Sequence, residues 1–129
     1  MATVARVRWI LVFLGGGLGS LIRFELGGFV QARAGVAFPW GTFAVNALGC
    51  LAIGLLATWI DDRNGAGAGT RLFLIAGLLG GFTTFSSFGL ETFRLFEEAR
   101  YAAALGNATG SVVVCLVAVA IGVAIARAV

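Results

Sequence analysis

The sequence predicts an all-α membrane protein with four transmembrane helices, and three observations lead there. Hydrophobic residues make up 60% of the 129-residue chain, and the mean hydropathy is +1.01. Charged residues are only 12%, about half of the roughly 25% found in soluble domains. The apolar residues fall into four blocks, about 8–30, 40–60, 70–97 and 101–127. Each holds the about 20 residues that cross a ~30 Å hydrocarbon core. Residues 1–129 therefore read as one four-span domain, with no length left for a second and no β-barrel alternation.

The first block follows Arg6 and Arg8, and Ala32-Arg33-Ala34 has the small-x-small spacing of a signal-peptide cleavage site. The apolar run lies too far from that site, and Arg23 and Glu25 intervene, so the segment is expected to remain as the first span. Residues 31–39 form the first turn. They end at Pro39, the only proline, whose fixed φ and missing N–H suit a helix start. The second block runs into DDRNGAGAGT (61–70), a polar, glycine-rich turn. Glu97, Glu98 and Arg100 close the third block, and the fourth completes the bundle.

Within the third block, GGFTTFSSF (80–88) is out of place in a lipid-spanning helix. Two glycines and four hydroxyl residues favour a helix broken in the middle, with backbone or hydroxyl groups that bind an ion. Phe85 and Phe88 are three apart and share a face. Phenylalanine is ordinarily packing, and there are 11 here, but two rings turned edge-on would present positive quadrupole character to an anion.

The second span carries Asn46 about two turns into an apolar helix, where its amide must find partners. An interhelical hydrogen bond is the common role; donation of its NH₂ group to a small anion is the functional one. In the fourth span Asn107, Ser111 and Cys115 repeat every four residues, which reads as a polar track for an ion. Hydroxyls such as that of Thr109 often bond the preceding turn instead. Cys50 and Cys115 lack metal-ligand spacing and read as small hydrophobes.

All nine basic residues are arginine and the net charge is +3. With four spans, Arg6, Arg8, Arg63, Arg71 and Arg127 share one side, against Arg23, Arg33, Arg94 and Arg100 on the other. So even a split gives little orientation by the positive-inside rule. Two readings remain open: a chain that inserts both ways and pairs antiparallel, as inverted repeats do, or a uniformly oriented chain with a weak signal. Gly15/Gly19, Gly77/Gly81 and Gly106/Gly110 are each four apart and allow close helix approach, although 20 glycines generate such pairs by chance.

Three motifs in register, GGGLGSLIRF (15–24), WGTFAVNALG (40–49) and GGFTTFSSF followed by Glu91, closely resemble the Fluc or CrcB fluoride channels over essentially the whole chain. That resemblance implies an antiparallel dual-topology homodimer in the cell (inner or plasma) membrane, with lipid around it and two fluoride pores. Asn46, Phe85, Phe88 and Ser111 would line the pore. Arg23 would stand at the vestibule, with Thr42 and Glu91 near the pore entrance, although a buried carboxylate repels an anion unless neutral or paired. Main-chain carbonyls of Gly80 and Thr83 from both subunits would hold a structural sodium ion. Cys115, where a hydroxyl is common, and Asn107, where an aromatic hydroxyl can occur, depart from the family pattern.

The physics fits: dehydrating fluoride in a low-dielectric passage costs on the order of tens of kcal/mol in the idealised limit. Several weak, converging donors offset this while letting the ion leave. No nucleotide loop, histidine relay or metal cluster offers energy coupling, so passive export, with no enzymatic chemistry and no nucleic-acid partner, is expected. HF entering an acid-exposed cell would ionise inside, and the anion would be driven out by the membrane potential. Two alternatives are a small dual-topology multidrug transporter and a non-transporting assembly subunit. The first calls for an acidic residue midway along the first span, and residues 9–22 contain none. In the second, Asn46 and the polar track would be packing contacts.

Overall fold

A computed structural model describes residues 2–62 and 67–129, with side chains from Arg6 onward. Arg63 and the centre of the 61–70 turn lie outside the described residues. The elements in order are α1 (Ala2–Ala34), α2 (Trp40–Asp62), α3 (Ala68–Arg71), a π-helical stretch (Leu72–Leu79), α4 (Gly80–Phe82), α5 (Phe85–Glu97) and α6 (Tyr101–Ala128). Among the described residues there is no strand. Four helical segments are long and apolar enough to cross a membrane: Arg6–Ala34, Trp40–Asp62, Ala68–Glu97 and Tyr101–Ala128. The protein is a multi-pass membrane protein.

The first span outruns its apolar block and stops at Gly35, whose φ of +87° is the left-handed geometry that ends helices. Gln31, in the last turn, organises the connection to α2. Its Nε2 donates to the Gly35 and Phe38 carbonyls at 2.6 and 2.9 Å, and its Oε1 accepts the Gly41 N–H at 2.9 Å. Pro39 immediately precedes α2, and its carbonyl accepts the Phe43 N–H at 3.1 Å. At the same end Arg100 donates to the Ala37 carbonyl, tying the third turn to the first.

Packing follows the glycines. The second span packs closely on the fourth, and the first on the third. A Cβ on Gly54 would run into the Val119 carbonyl, and one on Gly122 into the Leu51 carbonyl. Gly15 and Gly19 face Gly77 and Leu78, while Gly81 lies against Gly16. Two of the three spaced glycine pairs thus join the first and third spans of one chain, whereas Gly106 faces open space and Gly110 only touches Phe43. Beside these contacts Val45, Leu79 and Phe82 form the buried core, with Leu26, Ile53 and Ile75 packed around it.

The third span departs most from a regular helix. Leu72–Leu79 is wound with i→i+5 bonds, ending in Gly80 N–H to the Ile75 carbonyl. Such stretches are rare, and the uniformly apolar LFLIAGLL gives no sign of one. Thr83 (φ −83°, ψ 155°) and Thr84 (φ −149°, ψ 116°) are extended between α4 and α5.

Gly54→Val is expected to destabilise the fold by about 1–3 kcal/mol or more through overpacking against backbone, measured by reversible unfolding in mixed micelles. Gly17→Ala, at a position with nothing within 4 Å, is expected to be neutral or stabilising by up to about 1 kcal/mol.

Candidate functional site

The site is organised by one reciprocal pair of hydrogen bonds between the second and third spans. Asn46 Nδ2 donates to the Thr84 carbonyl at 2.9 Å, and Thr84 N–H donates to Asn46 Oδ1 at 2.8 Å. The side-chain amide stands in for the helical neighbours Thr84 has lost. It leaves the second N–H of Nδ2 available. Thr84 also caps α5: its Oγ1 accepts the Ser87 N–H at 3.2 Å and lies 3.0 Å from Ser87 Oγ.

These bonds have a consequence four residues upstream. In an α-helix the N–H groups of Thr84 and Ser87 would go to the carbonyls of Gly80 and Thr83. Here they go to Asn46 and to the Thr84 hydroxyl. The two carbonyls assigned to sodium by resemblance are therefore among those that lose their regular helical donors at the interruption. Hard carbonyl oxygens suit a hard cation, so the donor chemistry fits that ion.

A cavity of about 340 Å³ is lined by Asn46 and Cys50 of the second span, Thr83, Thr84, Phe85 and Phe88 of the third, and Ser111 and Cys115 of the fourth. The Phe85 and Phe88 rings lie 5.3 Å apart, centroid to centroid, inclined at 46°. Phe85 is 81% exposed on the single chain.

Asn107 is not on that cavity wall. It is 1% exposed, donates from Nδ2 to Thr92 Oγ1 at 2.8 Å, and accepts from Ser111 Oγ at 3.3 Å. Thr92 Oγ1 in turn donates to the Phe88 carbonyl at 2.7 Å. A hydrogen-bonded chain thus runs from Ser111 through Asn107 and Thr92 to the Phe88 carbonyl. Thr109 simply bonds its preceding turn, at Leu105 O.

A second cavity, about 290 Å³, gathers Arg23, Thr42, Thr84, Ser87 and Glu91. Thr84 borders both cavities. Thr42 Oγ1 donates to Glu91 Oε1 at 2.7 Å. Glu91 Oε2 and Arg23 Nε are buried without a hydrogen-bond partner among the described residues. An unpartnered buried charged group is costly, so this cavity suits water or a small ion.

Thr92 and Gln31 are contributors that no motif singles out, and Thr84 and Ser87 enter the sequence reading only as hydroxyls of the GGFTTFSSF run. The signal for Thr84 was local: a Thr preceding a helix whose third residue can be capped. The partners of Thr92 and Gln31 come from other parts of the fold and leave no mark in spacing.

Four spans, a polar unwound segment at mid-span and two cavities meeting at Thr84 define a small membrane protein with a polar interior built between its helices. A family model described as "CrcB-like protein, Camphor Resistance (CrcB)" matches residues 10–123. Curated relatives named "Fluoride-specific ion channel FluC" cover nearly the whole chain. That of Chloroflexus aurantiacus is 47% identical over 92% of this chain and 94% of its own. That of Opitutus terrae is 47% identical over 88% of both, and that of Novosphingobium aromaticivorans 46% identical over 92% and 94%. The chain belongs to the CrcB, or Fluc, family.

Asn46→Ala is expected to cost about 2–4 kcal/mol, because it leaves the Thr84 N–H and carbonyl without partners inside the membrane. Thr84→Ser keeps both backbone bonds and the cap, and is expected to stay within about 0.5 kcal/mol of the parent; chemical unfolding of the two variants side by side checks this.

Proposed function

We propose that the protein is a fluoride channel that exports the anion from the cytoplasm by passive electrodiffusion. The observation that carries this reading is the convergence of Asn46, Phe85, Phe88 and Ser111, from three spans, on one cavity. The names of the relatives point to the same ion. Asn46 offers its remaining N–H, Ser111 its hydroxyl and the two rings their edges. Each is a weak ligand, and together they replace part of a hydration shell. The Arg23 guanidinium, with an unpartnered N–H in the neighbouring cavity, would draw the anion toward the pore. The bond from Thr42 would hold the Glu91 carboxylate aside.

In this reading the working unit is an antiparallel, dual-topology homodimer in the inner or plasma membrane, with two pores and a third helix broken around a central sodium ion. Gly80, Phe85 and Ser86 are exposed on the single chain. Unsatisfied carbonyls cannot face hydrocarbon. A second copy covering this face, with sodium between the Gly80 and Thr83 carbonyls of both chains, would satisfy them. The even arginine split is compatible with insertion both ways.

Efflux from liposomes loaded with potassium fluoride or chloride, with an ionophore collapsing the potential, is the deciding measurement. Fast fluoride release with chloride retained is expected; folded protein that releases neither ion would exclude the proposal. Phe85→Ile and Asn46→Asp are each expected to slow release at least about tenfold, equivalent to ~1.4 kcal/mol or more of barrier, while the dimer persists. For topology, Gly67→Cys in a variant without Cys50 and Cys115 should react with an impermeant thiol reagent from both sides of the membrane in similar amounts. Labelling from one side alone would refute dual insertion.

A further inference from the structure

A third cavity, remote from the pore residues, lies between the first span and the start of the third. At about 730 Å³ it is larger than either cavity of the candidate site. Its walls are apolar: Val7 and Leu11 on α1, Leu72 and Ile75 on the π-helical stretch. Two guanidiniums, Arg8 and Arg71, complete the lining. They stand in the first turn or so of spans that begin at Arg6 and Ala68, at the same end of the bundle. Seven residues below Arg8, about 10 Å along the helix axis, Gly15 and Gly77 bring the two helices into backbone contact.

A ligand for this cavity needs an anionic group at one end and a hydrocarbon body below it. Arg71 pairs with Asp61 at the rim, which fixes its position and removes one charge from the balance. Among the described residues Arg8 has no ion-pair or hydrogen-bond partner, and Arg6 is exposed two positions away. The mouth therefore keeps a net positive charge. Basic pockets between transmembrane helices recognise anionic headgroups, and arginine presents a forked set of donors that matches phosphate.

We propose that this cavity is a binding site for one anionic phospholipid, its phosphate held between Arg8 and Arg71 and an acyl chain lying along Leu11, Leu72 and Ile75. A zwitterionic lipid would add a cationic group to a mouth that is already net positive and whose Asp61 is engaged by Arg71. A free anion would leave the apolar walls unfilled. The bound lipid would brace the first span against the beginning of the π-helical stretch. This site does not depend on which ion the protein conducts.

The test uses the intact protein in detergent, titrated separately with phosphatidylglycerol, phosphatidylcholine and inorganic phosphate. Retained lipid is read by native mass spectrometry and the thermal midpoint by tryptophan fluorescence. Phosphatidylglycerol should be retained in preference to phosphatidylcholine and should raise the midpoint. Arg8→Gln and Arg71→Gln should each weaken that preference, on the order of fivefold per arginine. Ala76→Phe, on the cavity wall, should reduce retention of lipid while both arginines remain.

Equal retention of the two lipids by the unmodified protein would overturn the proposal, and that comparison stands even if a variant fails to fold. So would a preference that survives the double arginine variant, or a midpoint raised as much by inorganic phosphate alone. Loss of the dimer in that variant with lipid retention unchanged would assign the groove to a second copy of the chain instead.

Discussion

A polypeptide inside hydrocarbon must satisfy its own backbone, and this constraint governs the structure around Thr83 and Thr84. Two consecutive extended residues at mid-span interrupt the helical ladder, and the interruption persists because side chains replace the missing bonds. Asn46 takes both polar groups of Thr84, and the Thr84 hydroxyl takes the N–H of Ser87. The same substitution takes their regular helical donors from the Gly80 and Thr83 carbonyls. A polar site deep in the bundle thus arises from rerouting backbone bonds rather than from burying charge, so a chain of only 12% charged residues can contain one.

Helix packing supports that arrangement from both sides. Gly54 and Gly122 let the second and fourth spans approach to backbone distance, and Gly15, Gly16, Gly77 and Gly81 do the same for the first and third. With two helix pairs clamped, Asn46 and Ser111 on one pair meet Phe85 and Phe88 on the other across a narrow cavity. Lipid supplies no hydrophobic force between helices, so dispersion at such close contacts carries much of the association. The glycines are as necessary to the site as its polar residues.

Span number, turn positions and the principal polar residues were legible in the sequence, because apolar block length and isolated polar residues are strong signals in a membrane chain. Asn46 illustrates how two readings of one residue coexist: it is an interhelical hydrogen-bonding group, and one N–H is left over. Asn107 reads as a track residue from its four-residue spacing with Ser111 and Cys115. In three dimensions it lies behind the cavity wall, because a row on a helix face does not say which neighbour covers which end. The π-helical stretch was invisible, since LFLIAGLL suits any buried helix. The capture of spaced glycine pairs within one chain was equally hidden, since spacing does not identify the partner helix.

The hydrogen-bonded chain from Ser111 through Asn107 and Thr92 to the Phe88 carbonyl has a dynamic meaning. Ser111 Oγ points its proton at Asn107 Oδ1, not into the cavity, and at 3.3 Å that bond is long. In the proposed channel, an anion beside Ser111 would meet lone pairs until the hydroxyl rotated and exchanged Asn107 for the ion. Rotations of this kind take picoseconds to nanoseconds. On that reading the protein would hold a ligand in reserve, parked on a weak internal acceptor until a negative charge made the turn worthwhile, so the wall would be indifferent to an empty cavity and responsive to a filled one.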